Sequence, residues 1–343
     1  MAPSEYTRMV LSERPKALVN EQTLRKETVP FDLKPGLHEA VVKVIYNSID
    51  PTMRNWMSDA RSYLPPVKIG EVMRAIGVGI VVDPGSESKL KKGDYVAGMP
   101  GLQEYAIMKD DEANKFDLVP GAEPIDYLGP LGPTGGLTAY VGLFEIGKIK
   151  AGETIVVSAA GGAVGSLVSQ FAKKAGARVV GIVGSDEKVE WLKKDVGVDF
   201  AFNYKSPTWK DDFTKEVGFT DVYFDNVGGD ISAFIYTRMN TFGRVAFCGA
   251  ITEYNGEDSP GLKNYVQIVL QRLTVQGFIV TDHQSEFEKA SKQIASWLAD
   301  GSIKRRYHIV NGLDKAAEAI NLLFSGNNSG KVILAVSDPQ AKF

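Results

Sequence analysis

The 343 residues are 44% hydrophobic and 24% charged with a formal net charge of −3, the balance of an ordinary globular chain long enough for two domains with separate cores. A slightly acidic chain whose basic runs are short argues against nucleic acid or an anionic membrane surface as the main partner. No stretch approaches the ~20 apolar residues of a membrane span, and Met1 to Arg14 is polar without the apolar core of a signal peptide, so the expected location is cytoplasmic.

Residues 1 to about 128 show short extended runs split by turns rather than a regular strand-helix alternation. Strands are predicted over Ala40 to Tyr46, Ala75 to Val82 and, after the turn Lys92-Gly-Asp, Tyr95 to Ala97. The expectation is an irregular, mostly β first domain. Between the runs lie Asp50-Pro-Thr-Met-Arg-Asn-Trp-Met and Arg61-Ser-Tyr-Leu-Pro-Pro. Loops of that composition suit the walls of a pocket for a flat apolar ligand, and equally suit surface loops pinned by buried aromatics.

From Leu128 the texture changes. A turn-rich lead, Gly129 to Gly136, feeds a predicted helix over Leu137 to Ile146, and a β-branched strand follows over Thr154 to Ser158. Then comes Ala160-x-Gly162-x-x-Gly165 and a helix over Val164 to Ala175. Strand, tight turn and helix in this order are a variant of the dinucleotide fingerprint. Small residues let the backbone approach a pyrophosphate, and the helix start offers N–H groups and the positive end of its dipole. Further strands are predicted over Val179 to Val183, Phe200 to Asn203, Val222 to Asp225, Val245 to Cys248 and Thr274 to Val280. The fold class is therefore α/β, a mostly-β domain plus a doubly wound six-stranded parallel sheet of order 3-2-1-4-5-6. The tail, with a helix near Leu313 to Phe324 and a strand at Val332 to Val336, is expected to return to the first domain. That divides the chain into 1–128 with 312–343, and 129–311.

An NAD-preferring site places an acid at the tip of the second strand to hold the ribose 2′-OH. Here the tip is Val183-Gly184-Ser185, and Asp186 reads as a first-turn acid behind the cap Ser185. Lys188, one turn inside, can reach back to a 2′-phosphate, and Tyr204 can offer a hydroxyl from the third strand. The pattern favours NADP(H). Among titratable ligands the chain has one cysteine, Cys248, and three histidines, His38, His283 and His308. An internal disulfide and a four-cysteine or two-cysteine, two-histidine zinc site are excluded, no metal is expected, and Cys248 is read as a small hydrophobe in a buried strand.

Assembled in order, Asp50-Pro-x-Met-Arg, Gly-Leu-Thr-Ala-Tyr at 136–140, Ala-Gly-Gly-Ala-Val-Gly at 160–165, Gly-Ser-Asp-Glu-Lys at 184–188, Phe202-Asn-Tyr-Lys, Phe224-Asp-Asn-Val-Gly-Gly, Cys248-Gly-Ala-Ile-x-x-Tyr-Asn, Gly277-Phe-Ile-Val and Gly-Asn-Asn-x-Gly-Lys at 326–331 span nearly the whole chain. With them the sequence resembles the alkenal/enone reductase branch of the zinc-independent medium-chain dehydrogenases/reductases. The resemblance implies a GroES-like first domain, a Rossmann second domain, and NADPH-dependent reduction of a C=C bond conjugated to a carbonyl in a small-molecule enal or enone. It implies cofactor contacts at Thr138, Gly162, Ala163, Val164, Gly165, Gly184, Lys188, Tyr204, Asn226, Cys248, Phe278, Val280 and Asn328. Substrate-side residues are Asp50, Met53, Arg54, Tyr63 and Tyr254. Tyr254 matches the tyrosine beside the substrate carbonyl and is the catalytic candidate. Relatives often carry Tyr where this chain has Thr52, and Tyr63 is the residue that can replace that phenol. A homodimer joined near Thr274 to Val280 is also implied.

Hydride addition to the β-carbon of an enone requires a donor for the charge that develops on the carbonyl oxygen, and Tyr254 is placed in that role. Alternative readings are a quinone reductase with the same fold and cofactor, an alcohol dehydrogenase, for which zinc ligands or an Arg/Tyr relay are not evident, and a non-catalytic NADPH-binding protein.

Overall fold

The computed structural model describes residues 3–256 and 261–337. The chain forms two compact units, Met1–Leu128 with Tyr307–Phe343, and Gly129–Arg306.

The first unit is built on strand Glu39–Ser48, whose run Ala-Val-Val-Lys-Val-Ile is buried on both faces. Gly77–Pro84 and Tyr105–Lys109 pair with it antiparallel, and Tyr95–Gly98 and Asn114–Phe116 extend the sheet beyond Gly77–Pro84. On the other side of Glu39–Ser48 lie the tail strands Lys331–Ala335 and then Tyr307–Asn311. A separate hairpin pairs Glu5–Leu11 with Leu24–Pro30. Met9, Leu11, Ile49, Met53, Trp56 and Met73 form a core with Leu313, Ile320 and Val332 from the tail. The chain returns to this unit at Tyr307 rather than 312. Tyr307–Asn311 pairs in parallel with Lys331–Ala335, and that ladder commits it to the tail's sheet.

The second unit contains, among the described residues, a six-stranded all-parallel sheet in the spatial order Phe200–Asn203, Arg178–Val183, Thr154–Ser158, Thr220–Asp225, Met239–Phe247, Thr274–Gly277. This is the 3-2-1-4-5-6 order of a Rossmann domain. Both faces are covered. Ile155 and Val157 face a cluster with Phe171 and Ile294, while the intervening Val156 faces Phe213, Tyr223 and Ile235, as expected of a parallel sheet buried on two sides. The helix predicted over 137–146 starts earlier, at Pro133, and is wound with wide π-type turns at Pro133–Leu137 and Val141–Ile146. Cys248 lies one residue past its strand, which ends at Phe247, and is half-buried rather than in the strand core. The sixth strand is short: Val280 already begins a helical turn.

Candidate active site

In the second unit the candidate residues gather at the C-terminal ends of the strands. Thr154–Ser158 is buried at every position, so the chain can leave it only at its end. Ala159 takes a left-handed φ of 49°, and Gly162 precedes the helix Ala163–Lys174 in an extended conformation. No side chain caps that helix. Its first N–H groups, on Ala163, Val164 and Gly165, have no acceptor within the helix, an arrangement that suits an anion. A Cβ on Gly165 would stand 2.4 Å from the Ala159 carbonyl oxygen; the close approach of helix to turn needs glycine there. The next helix behaves differently. Ser185 Oγ accepts from the Lys188 N–H at 3.4 Å, and Asp186 accepts from Asn203 Nδ2 at 2.9 Å, so the acid nearest the second strand's tip is engaged with the third strand.

Lys188 and Tyr204 come together beside this turn. A Cβ on Gly161 would lie 3.2 Å from Lys188 Cδ, and one on Gly184 would lie 3.2 Å from the Tyr204 hydroxyl. The two glycines leave room that the Lys188 stem and the phenol fill. Burial pulls the Lys188 ammonium below its ordinary value; Glu187 opposes this, and Lys205 and Arg306 add to it. Three cations therefore share one corner. Lys205 Nζ lies 6.0 Å from the Tyr204 ring, and Arg306 stacks 5.5 Å from Trp191 and pairs with Glu187 at 2.5 Å. Sequence reasoning missed Lys205 and Arg306. Lys205 sits inside the Phe202-Asn-Tyr-Lys run and was legible there; Arg306 is over a hundred residues from Lys188 and carries no local signal. An uncapped helix start next to a cation cluster fits a pyrophosphate with a further phosphate on the ribose.

The neighbouring strand end is fastened by a buried carboxylate. Asp225 accepts from Tyr223 Oη at 3.0 Å, Ser232 Oγ at 2.6 Å, and the N–H groups of Val227 and Gly228 at 3.0 Å each. Its backbone oxygen accepts from Cys248 N at 2.8 Å. Asn226 is directed back to the first strand, its Nδ2 donating to Ser158 O at 2.8 Å and its N–H to Ser158 Oγ at 2.9 Å. Burial, with Asp225 adding to it, pushes the Cys248 thiol up to about 12, which makes it an inert neighbour rather than a nucleophile. Thr252 Oγ1 donates to Val227 O at 2.7 Å, stitching the following loop to the Asn226 loop. That loop ends in Tyr254, whose hydroxyl oxygen accepts from Ala250 N at 3.2 Å. The phenol is thus set at the Gly249–Ala250 backbone.

The remaining second-unit candidates are packed by their side chains. Thr138 Oγ1 donates to Pro133 O at 2.7 Å. Phe278 meets Phe224 edge-on at 6.3 Å, and Val280 packs on the same core.

In the first unit, three residues expected on a pocket wall are interior. Asp50 is buried against Lys331, with Ser48 Oγ donating to it. Met53 is fully buried in the core. Arg54 is buried and donates to Pro15 O at 2.8 Å and Ala17 O at 3.2 Å, holding the N-terminal loop. Asp50, Met53 and Arg54 thus join the short helix Met53–Trp56 and its lead-in to the tail strand, the core and the N-terminal loop. Tyr63 differs: it is 45% exposed, its hydroxyl 2.6 Å from Thr52 Oγ1 and accepting from Trp56 Nε1 at 3.1 Å. Asn328 is buried, with Nδ2 donating to Gly330 O at 2.9 Å.

Among the described residues no three His, Cys, Asp or Glu side chains are grouped as a metal site. The chain matches the N-terminal domain of oxidoreductases over residues 7–116 and a domain described as zinc-binding dehydrogenase over residues 163–296. With a single cysteine and no such grouping, the residues do not fit the zinc of that description. Bovine (Bos taurus) prostaglandin reductase 1 is 39% identical, aligned over 88% of this chain and 90% of the relative. The NADP(+)-dependent 2-alkenal reductase of Nicotiana tabacum is 36% identical over 93% of each. A crystal structure of CurA from Vibrio vulnificus in complex with NADPH superposes with a TM-score of 0.90 at 35% identity, covering 97% of this chain and 100% of that one. Similarity of this extent, carried along both units, means that the chain belongs to the zinc-independent medium-chain dehydrogenase/reductase superfamily, in its branch of NADPH-dependent enone reductases.

Proposed function

We propose that this chain reduces the C=C bond of α,β-unsaturated aldehydes and ketones with NADPH, and that Tyr254 is its catalytic residue. The observation that carries the reading is the grouping, at one end of one sheet, of an uncapped helix start, the Lys188, Lys205 and Arg306 cations, and a phenol fixed by the loop after the fifth strand. In this reading the N–H groups of Ala163, Val164 and Gly165 hold the pyrophosphate, and Lys188 and Tyr204 hold the 2′-phosphate. Asn226, Asn328 and the backbone at Phe278 and Val280 complete the cofactor contacts.

When bound, NADPH supplies the hydride for the β-carbon. As the double-bond electrons shift toward the carbonyl, charge collects on its oxygen. Tyr254 donates a hydrogen bond to that oxygen, and because the Ala250 N–H already polarises the phenol, the donor is in place before charge develops. The α-carbon takes its proton from solvent or through the same hydroxyl.

The substrate-side role falls to Tyr63. Trp56 has only a donor to give, so the Thr52 and Tyr63 hydroxyls, bonded to each other, retain one proton to offer outward. The chain works as a homodimer in the cytoplasm in this reading. Supporting the dimer, the edge strand Thr274–Gly277 is exposed throughout, and Tyr265, Val266, Val269 and Leu270, which precede it in the chain, are 53–75% exposed, apolar surface of the kind that marks protein contacts.

The testing experiment is NADPH consumption across medium-chain enals, aryl enones and quinones. Turnover on enals and enones is expected; turnover on quinones alone would make the chain a quinone reductase, and tight binding without turnover a non-catalytic NADPH-binding protein.

A further inference from the structure

Asp50 and Lys331 form a buried ion pair in the first unit, their side chains only 8% and 4% exposed. They are 281 residues apart in sequence. A pair with so little solvent is poor evidence of stabilisation in itself, because desolvation offsets most of the attraction. What it fixes is geometry. Lys331 Nζ also donates to Ile49 O at 3.4 Å, Ser48 Oγ donates to the other Asp50 oxygen, and the Asp50 carbonyl accepts from Met53 N at 3.0 Å. The carboxylate thus fastens the end of strand Glu39–Ser48 to Lys331, while the backbone carbonyl of the same residue opens the first turn of Met53–Trp56. The ammonium sits at the first residue of Lys331–Ala335, directly after the turn in which Asn328 Nδ2 donates to Gly330 O and Gly330 takes a φ of 78°.

Two segments are tied at one point. On one side, two residues past Asp50, is Thr52, bonded to Tyr63. On the other, three residues before Lys331, is Asn328. We propose that Asp50 and Lys331 are positioning residues: their pairing sets the Asn328 turn and the Thr52–Tyr63 pair in fixed register with each other, so that cofactor and enone are met by one preorganised unit. The assignment rests on the function proposed above, in which Asn328 touches NADPH and Tyr63 the substrate. It gives a reason for the buried charge that opens the first motif, Asp50, and for the one that closes the last, Lys331.

The test compares Asp50→Asn, Lys331→Met and the double variant. Each single change strands a buried charge or an unmet donor and lowers the melting temperature; the double variant, with neither charge, recovers most of it. NADPH binding, followed by fluorescence without any turnover, separates stability from register. The expected result is a double variant that melts near the parent temperature and binds NADPH about tenfold more weakly, with a raised KM for an enone. If the double variant recovers both melting temperature and NADPH affinity, the pair is structural only and the proposal fails. Should the single variants not fold, the double variant alone decides. A parent protein that binds NADPH but reduces no enone overturns the reductase reading, while the binding comparison still judges the positioning role.

Discussion

Replacing Lys188 with Met isolates its charge. The aliphatic stem runs past Gly161, where an added Cβ would meet Lys188 Cδ at 3.2 Å and Cγ at 3.5 Å, and methionine preserves that apolar contact while removing the ammonium. A hydrogen bond to a charged group contributes about 1.5–3 kcal/mol, and the corner is half-buried, so most of that survives solvent screening. At 1.4 kcal/mol per decade the NADPH dissociation constant should rise roughly 10- to 100-fold. Binding of NADH, which lacks the 2′-phosphate, should change less than about twofold. Lys205 and Arg306 remain in the same corner, which keeps the loss finite. The assay is a fluorescence titration of both nucleotides against both proteins. Equal weakening of NADPH and NADH would mean that Lys188 shapes the turn rather than reads the phosphate; unchanged NADPH binding would remove it from the site.

The same corner predicts a pH dependence. The Lys188 ammonium is held below the ordinary lysine value, and a bound phosphate favours its charged form, so NADPH affinity should fall as pH rises through that lowered value, with the fall absent for NADH and absent in Lys188→Met. Tyr254→Phe should lower kcat on a good enone by about 10²-fold while NADPH affinity stays nearly constant, because the contact is made to developing charge; a kcat unchanged with chemistry rate-limiting removes Tyr254 from the mechanism. Val269→Asp places a charge on a side chain 75% exposed in the apolar edge face and should convert a dimer to monomer in light scattering; a parent that is already monomeric contradicts the proposed edge contact.

The second unit was legible because its signals are local. Buried β-branched runs, a glycine turn and helical periodicity recur in the same order, and the strand order follows from that alternation. The first unit hid more. Leu24–Pro30, Leu-Arg-Lys-Glu-Thr-Val-Pro, has a single buried residue and reads as polar loop, yet it pairs along its whole length with Glu5–Leu11. Tyr307–Asn311 is likewise only half-covered, which moved the expected boundary to 312. Site residues divide in the same way. Lys188, Tyr204 and Asn226 lie in local motifs at the ends of predicted strands, whereas the bonds of Asp50 and Arg54 run to Lys331 and to Pro15 and Ala17, and no local pattern encodes those. Motif position placed them on a pocket wall; in the structure both are buried and bonded within the first unit.

The central claim is that this chain reduces the C=C bond of an enone and leaves the carbonyl intact. NMR of the product formed from an aryl enone and NADPH deuterated at the transferable position tests it directly. The account predicts a saturated ketone carrying deuterium at the β-carbon, and an allylic alcohol with deuterium on the carbinol carbon would contradict it.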